Sequence, residues 1–86
     1  MQKLNDLRQK INLIDKQIVS LLAERKEISI EIGMFKKEHG LPVLDSTREN
    51  ELLQEYEMLA KKSALDPAFV KTIFKLIHDK SKELQQ

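Results

Sequence analysis

The sequence predicts an all-α fold of three helices, one very long, forming an intertwined homodimeric helical bundle. The 86 residues include 41% hydrophobic and 34% charged residues but only 2 Gly, 2 Pro and 5% aromatic residues. This composition is typical of long helices and unlike that of a sandwich or barrel. Apolar residues recur at steps of three and four, which is the helical period. A chain this short holds one domain, residues 1–86.

The first predicted helix runs from about Lys3 to Lys37. Its apolar residues form a heptad seam, the pattern of a helix that packs lengthwise against another. The seam consists of Leu4, Leu7, Ile11, Ile14, Ile18, Leu21, Ile28, Ile32 and Phe35. The helix ends before Gly40 and Pro42, which supply a stop.

The second predicted helix opens at Ser46, which has capping-box spacing with Glu49, and it ends near Ser63. Its apolar face consists of Leu52, Leu53, Tyr56, Leu59 and Ala60. The third predicted helix begins where Asp66 provides an N-cap and Pro67 the first helical position. Its apolar stripe consists of Val70, Ile73, Phe74, Ile77 and Leu84.

The length of the first helix predicts the homodimer. About 35 residues give a helix roughly 50 Å long, whereas a compact chain of this size has a diameter near ~30 Å. Two shorter helices cannot cover a seam that is apolar from end to end, so a second copy of the chain is the simplest partner. We expect the long helices to pair antiparallel, because a two-fold contact would then bury both seams along their whole length.

Charge and residue content exclude several classes of protein. Fifteen Lys and Arg against 14 Asp and Glu give a net charge of +1, without the basic excess of a nucleic-acid-binding protein. No apolar run approaches the ~20 residues of a membrane span, and the N-terminus lacks a signal-peptide core. The absence of cysteine excludes a disulfide framework and predicts a cytoplasmic protein. His39 and His78 have no partner at metal-ligand spacing, so we expect no metal site.

Two cations occupy one face of the first helix. Arg25 stands at a seam position, where a buried guanidinium is costly unless paired. Lys36 lies three turns further on and only about 20° around the helix, with its Cα about 16 Å away. Two long side chains reaching toward each other leave room for a small dianion. Alternatively, Arg25 reaches the surface or sets the register of the seam, and Lys36 is an ordinary solvated residue.

Polar residues also extend the stripes of the other helices. Ser81 and Gln85 continue the third stripe at steps of four, although fraying of the helix end would explain them as well. Arg48 and Glu49 extend the second stripe backward, although a surface residue and a capping acid would do the same. Arg8 is about 25 Å from Arg25 along the helix, so it could join the cluster only from an antiparallel partner. Otherwise it is a solvated interface charge.

Together these residues predict a ligand site in the bundle core, where helical proteins build such sites. The implied ligand is a small molecule with two negative charges and several hydrogen-bonding oxygens. No Ser/His/Asp arrangement, cysteine or Gly-rich phosphate loop indicates covalent catalysis or phosphate binding. The functions that remain are electrostatic and conformational catalysis, or ligand binding without a chemical reaction.

The sequence resembles the all-helical class of chorismate mutase over nearly its whole length, with the motif spacings preserved. The matching segments are Leu7-Arg8-Gln9-Lys10-Ile11 with Ile14-Asp15, Leu22-Ala23-Glu24-Arg25, Ile32-Gly33 with Lys36, Pro42-Val43 with Asp45 and Arg48-Glu49, and Ser81 with Gln85. The resemblance implies an intertwined dimer with two equivalent sites, each completed by Arg8 of the neighbouring subunit.

The resemblance also implies the reaction, the rearrangement of chorismate to prephenate in aromatic amino-acid biosynthesis, which needs no cofactor. Arg8 and Arg25 resemble the residues that grip the two carboxylates, and Lys36 and Gln85 the pair that hydrogen-bonds the ether oxygen. Three further residues, Asp45, Arg48 and Glu49, match the segment that holds the ring hydroxyl and closes over the substrate. Ser81 matches a hydrogen-bond donor to a carboxylate.

Two other functions compete with this one. A lyase of the same fold splits isochorismate into salicylate and pyruvate, but such relatives vary the loop and the residue matching Glu49, so Asp45 to Glu49 favours the mutase. The other alternative is a helical dimerisation or regulatory module without chemistry. Substitution of Arg25 by leucine separates the module from an enzyme, because only a site residue should cost activity while the fold is kept.

Overall fold

The computed structural model describes all 86 residues and consists of three helices with no strand. Helix α1 spans Gln2–Glu38, α2 spans Ser46–Lys62 and α3 spans Pro67–Gln85. The predicted all-α fold with one very long helix is confirmed, and each predicted boundary lies within about two residues of the observed one. None of the helices is both long and apolar enough to cross a membrane.

The boundaries of α1 and α3 follow the predicted local signals. Beyond the end of α1, Gly40 adopts a φ of 65°, the left-handed conformation that glycine accepts without strain. The Leu41 N–H then reaches back to the Lys36 carbonyl at 2.8 Å. At the start of α3, the Asp66 carboxylate accepts a hydrogen bond of 3.1 Å from the Ala68 N–H. These contacts satisfy backbone groups that a helix end otherwise leaves unpaired.

The predicted capping box of α2 is wrong. The N-cap is Asp45, one residue before Ser46, and its carboxylate accepts a hydrogen bond of 3.0 Å from the Arg48 N–H. Aspartate is as strongly preferred at an N-cap as serine, so the residue at the end of the loop takes the position. Glu49 is therefore free of the cap and pairs with α3 instead.

Helix α3 lies between the other two, because it packs against both α1 and α2 whereas those two do not pack on each other. The α2–α3 interface contains the buried apolar residues of the chain, Tyr56 and Ala60. The Tyr56 and Phe74 rings stack with their centroids 3.9 Å apart. On the α1 side the buried residues are small, Ser29 and Gly33, so α3 crosses α1 closely.

Much of α1 extends beyond this small core. The molecule measures 58 × 25 × 15 Å, and its radius of gyration is 16.4 Å, whereas a compact chain of this length has about 12 Å. All of residues 1–24 are exposed, including the first six residues of the predicted seam. The accessible surface is 7251 Å², about 2,000 Å² more than a compact protein of this mass exposes.

Gly33 permits the close crossing of α1 and α3. A Cβ atom at this position would lie 2.7 Å from the Cα of Gln85 and 3.0 Å from its carbonyl oxygen. Both atoms belong to the backbone of α3, so they cannot move aside as the tip of a flexible side chain would. Glycine at this position therefore allows the last turn of α3 to lie directly on α1.

We expect Gly33→Ala to destabilise the protein although alanine is the better helix former. The overlap with α3 costs about 1–3 kcal/mol, and the gain in helix propensity returns at most about 1 kcal/mol. The measurement is the midpoint of thermal unfolding, which should fall by several degrees. Gly40→Ala is a useful comparison, because no atom lies within 4 Å of its Cβ and only its φ is unfavourable. A midpoint for Gly33→Ala at or above that of the wild type would contradict the overlap.

Candidate active site

A cavity of about 430 Å³ lies where the second half of α1, the α1–α2 loop, the start of α2 and the end of α3 meet. We call it the interhelical cavity. Ten of its 14 lining residues are polar or charged and four are aliphatic, a composition suited to a small polar ligand. The lining residues are Arg25, Ile28, Ser29, Ile32, Lys36, Val43, Asp45, Arg48, Glu49, Leu52, His78, Ser81, Lys82 and Gln85.

At one end of the cavity, a serine pair holds a cation of α1. The half-buried Arg25 guanidinium donates a hydrogen bond to the Ser81 hydroxyl, and the Ser29 hydroxyl donates to the same oxygen at 3.3 Å. Both serines are buried, so the hydrogen bonds form away from bulk water. A guanidinium has five N–H donors in a fixed planar arrangement, so Arg25 keeps donors for a ligand carboxylate.

Further along the same face, the loop and α3 together fix Lys36. Its ammonium group donates to the Val43 carbonyl at 2.9 Å and to the Gln85 side-chain oxygen at 3.0 Å. Because an ammonium group has three N–H donors, one remains for a ligand. Lys36 is thus a preorganised donor. Its two partners fix its direction, and because both are neutral they leave its positive charge uncompensated.

The charges of the interhelical cavity are mostly positive. Of the five ion pairs in the structure, none includes Arg25, Lys36 or Arg48. In contrast, the Glu49 carboxylate forms an ion pair with Lys82, at 2.9 Å. That carboxylate raises the pKa of Lys82 above its ordinary value. The cavity therefore presents three cations without an acidic partner, an arrangement that attracts a ligand with two negative charges.

His78 contributes a neutral group to the cavity wall. Burial lowers its pKa, and the nearby Arg25 cation lowers it further. Its Nε2 shares a hydrogen bond of 2.8 Å with the Tyr56 hydroxyl, whose own pKa is raised chiefly by burial. At neutral pH both groups are therefore uncharged, and the contact joins the cavity wall to the α2–α3 core.

The structure brings seven of the eight predicted site residues to this cavity: Arg25, Lys36, Asp45, Arg48, Glu49, Ser81 and Gln85. The eighth, Arg8, does not line it and is exposed on the first half of α1. Seventeen residues of helix separate it from Arg25, about 25 Å. Within one chain, then, Arg8 cannot reach a ligand held by the other cations.

Three polar lining residues were not predicted: Ser29, His78 and Lys82. Ser29 lies one helical turn after Arg25, and Gly33 lies one turn after Ser29. Two small residues on the face of Arg25 were therefore an available signal that another helix packs there. His78 precedes Ser81 by three residues and shares its face. Lys82 follows Ser81 directly and carries no such signal, because only the position of α2 brings Glu49 to it.

The interhelical cavity is suited to holding an anionic molecule and stabilising charge that develops on it. The cations can bind carboxylates, and the Lys36 ammonium with the Gln85 amide can face an oxygen that gains negative charge during a reaction. Such fixed donors act strongly where water is excluded. No group of three or more His, Cys, Asp or Glu side chains is placed to hold a metal ion.

Comparison with known proteins identifies related sequences and structures. The profile of the family described as chorismate mutase type II matches residues 7–86. The bifunctional chorismate mutase/prephenate dehydratase of Escherichia coli K12 is 39% identical over 80 residues, 93% of this chain and 21% of that protein. The T-protein of Haemophilus influenzae is 31% identical over 75 residues, 87% of this chain and 20% of that protein. The chain thus spans about a fifth of these curated relatives.

A solved structure is similar over its full length. A conserved hypothetical protein from Pyrococcus furiosus matches with a TM-score of 0.80 and 38% sequence identity, covering 100% of this chain and 99% of that one.

Proposed function

The chain belongs to the chorismate mutase type II family, and from that membership we propose that it rearranges chorismate to prephenate in the biosynthesis of phenylalanine and tyrosine. The observation that carries this proposal is the position of Lys36. Its ammonium group is held by two neutral oxygens and keeps one donor for the interhelical cavity, beside the Gln85 amide. An isomerase that stabilises charge on an ether oxygen needs such a donor.

The rearrangement is unimolecular: the ether C–O bond of chorismate breaks as a new C–C bond forms, and no proton, nucleophile or cofactor is required. The protein has two tasks. It must hold the enolpyruvyl arm over the ring in the reactive chair, which removes conformational freedom before the reaction. It must also stabilise the negative charge that builds on the ether oxygen as its bond to carbon stretches.

The lining residues divide these tasks between them. In this proposal Lys36 and Gln85 hydrogen-bond the ether oxygen, and the guanidinium of Arg25 binds one substrate carboxylate with help from Ser81. At the opposite wall Asp45, Arg48 and Glu49 hold the ring hydroxyl and close over the substrate. The uncompensated cations support this division, because chorismate carries two carboxylates.

The proposal includes a homodimer in which α1 pairs antiparallel with α1 of a second copy. The exposed seam of α1 and the surplus of about 2,000 Å² of accessible surface support it, since obligate dimers bury areas of this size. In such a pair the first half of one long helix lies beside the second half of the other. Arg8 of the partner would then complete each cavity and bind the second carboxylate.

Mixing two inactive variants tests the shared site. Arg8→Ala and Lys36→Ala each damage both sites of their own homodimer. In a mixed dimer, one site combines both mutations and the other has neither. Random pairing of equal amounts makes half of the dimers mixed, so we expect about one quarter of the wild-type activity to return after joint refolding. Activity that stays at the sum of the two variants would show that Arg8 does not act across the interface.

The reaction itself is tested by incubating the purified chain with chorismate, following the loss of its absorbance and identifying the product. Prephenate formed at a saturable rate is the expected result. No turnover of chorismate, or turnover of isochorismate to salicylate and pyruvate, would contradict the proposal.

A cytoplasmic location is also proposed, supported by the absence of cysteine from the sequence.

A further inference from the structure

One ion pair joins α2 to α3 in the wall of the interhelical cavity. The Lys82 ammonium lies 2.9 Å from the Glu49 carboxylate, and the two side chains are 35% and 33% exposed. Both residues also line a second groove, of about 340 Å³, on the outer side of α2 and α3. The pair thus separates the cavity from the outer groove and is accessible from both.

The ion pair with Lys82 reduces the repulsion between the Glu49 carboxylate and an anionic ligand. A free carboxylate in the wall would repel a molecule with two negative charges, because like charges a few ångströms apart interact unfavourably. The ammonium of Lys82 offsets that charge. It contacts Oε1 of Glu49, and the second carboxylate oxygen can still accept a hydrogen bond from a hydroxyl.

We propose that Lys82 is a positioning residue, which neutralises and orients Glu49 so that this carboxylate accepts a substrate hydroxyl beside a dianion. The inference rests on the proposed function, since it concerns the same cavity and substrate. Lys82 thus affects substrate binding through Glu49, and its ammonium group does not contact the reacting atoms.

A second ion pair shows what a purely structural bridge would do. Lys71 and Glu57 also join α3 to α2, at 3.1 Å and with side chains 38% and 40% exposed. Neither lines the interhelical cavity. If the Lys82 pair only fastened the helices together, removal of either lysine should have the same consequences. The Lys71 pair is therefore a control on the same two helices, with the difference that Glu57 also lies 3.7 Å from Lys61 and keeps that partner when Lys71 is replaced.

The experiment compares steady-state kinetics on chorismate for Lys82→Met and Lys71→Met, with thermal unfolding of each. Wild-type turnover is measured first. We expect Lys82→Met to lower kcat/KM about tenfold, mainly through KM, because an unpaired Glu49 disfavours the dianion before and during the reaction. We expect Lys71→Met to stay within about twofold of the wild type at a similar unfolding midpoint. Lys82→Arg, which keeps the charge, should restore most of the loss.

A double variant tests the route through Glu49. In the Glu49→Gln background the carboxylate charge is absent, so the further change Lys82→Met should alter KM by less than about twofold. An undiminished effect of Lys82 in that background would overturn the inference. So would kinetics of Lys82→Met that match those of Lys71→Met in an active protein. A wild-type chain that does not turn over chorismate overturns the proposed function and this inference with it.

Discussion

Replacing Lys36 with alanine is expected to lower kcat/KM for chorismate by about two to three orders of magnitude. The loss corresponds to about 3–4 kcal/mol of transition-state stabilisation, the usual effect of removing one preorganised donor. In the proposed mechanism the ammonium acts on charge that develops during bond breaking, so kcat should carry most of the change. Steady-state rates of prephenate formation measure it.

The neighbouring residue provides the control for this prediction. Lys37 is also in the last turn of α1 but does not line the interhelical cavity, so Lys37→Ala removes the same charge outside the site. Its kinetics should match those of the wild type. Unchanged kcat/KM for Lys36→Ala would remove the assignment of this residue to the ether oxygen, and equal losses in both variants would indicate a general effect of charge.

Arg25→Leu is expected to abolish most of the activity while the fold is kept or even stabilised. Leucine continues the heptad seam, and replacing a half-buried cation by a well-packed apolar residue is often neutral or stabilising. Transition-state binding should weaken by roughly 2–5 kcal/mol, because in the proposed site a substrate carboxylate loses its charged partner. Circular dichroism with thermal unfolding, alongside chorismate kinetics, measures the two effects separately.

The outcome of Arg25→Leu also separates an enzyme from a dimerisation module. Lys26→Leu changes the same charge one residue further along, outside the interhelical cavity, and should keep its activity. A stable Arg25→Leu protein with full activity would make Arg25 a replaceable seam residue. An unfolded variant would contradict both interpretations, since neither assigns Arg25 an essential part in folding.

The helices were predictable because their signals are local. Periodic apolar residues mark each one, and Gly40, Pro67 and Asp66 lie at boundaries where backbone geometry favours them. The capping of α2 was not predicted correctly, because Asp45 and Ser46 compete for neighbouring positions and small differences in loop geometry decide between them.

The candidate site was predictable where it follows helical spacing and unpredictable where it depends on packing. Arg25 and Lys36 share a face of one helix, so the sequence alone places them together. The carbonyl of Val43 as a partner of Lys36 requires the path of the loop. The Lys82 ion pair requires the position of α2 relative to α3. Arg8 stays apart in a single chain, because its predicted place depends on a second copy.

Because α1 is uninterrupted, it restricts where the chain can gain or lose residues. A helix turns about 100° and rises 1.5 Å per residue. One residue inserted between Arg8 and Arg25 would therefore swing one side chain by more than a quarter turn relative to the other. In the proposed dimer, a single such insertion would misalign both sites at once. Insertions and deletions should thus be excluded from this stretch of α1 and tolerated in the α2–α3 connection, which lines no part of the interhelical cavity.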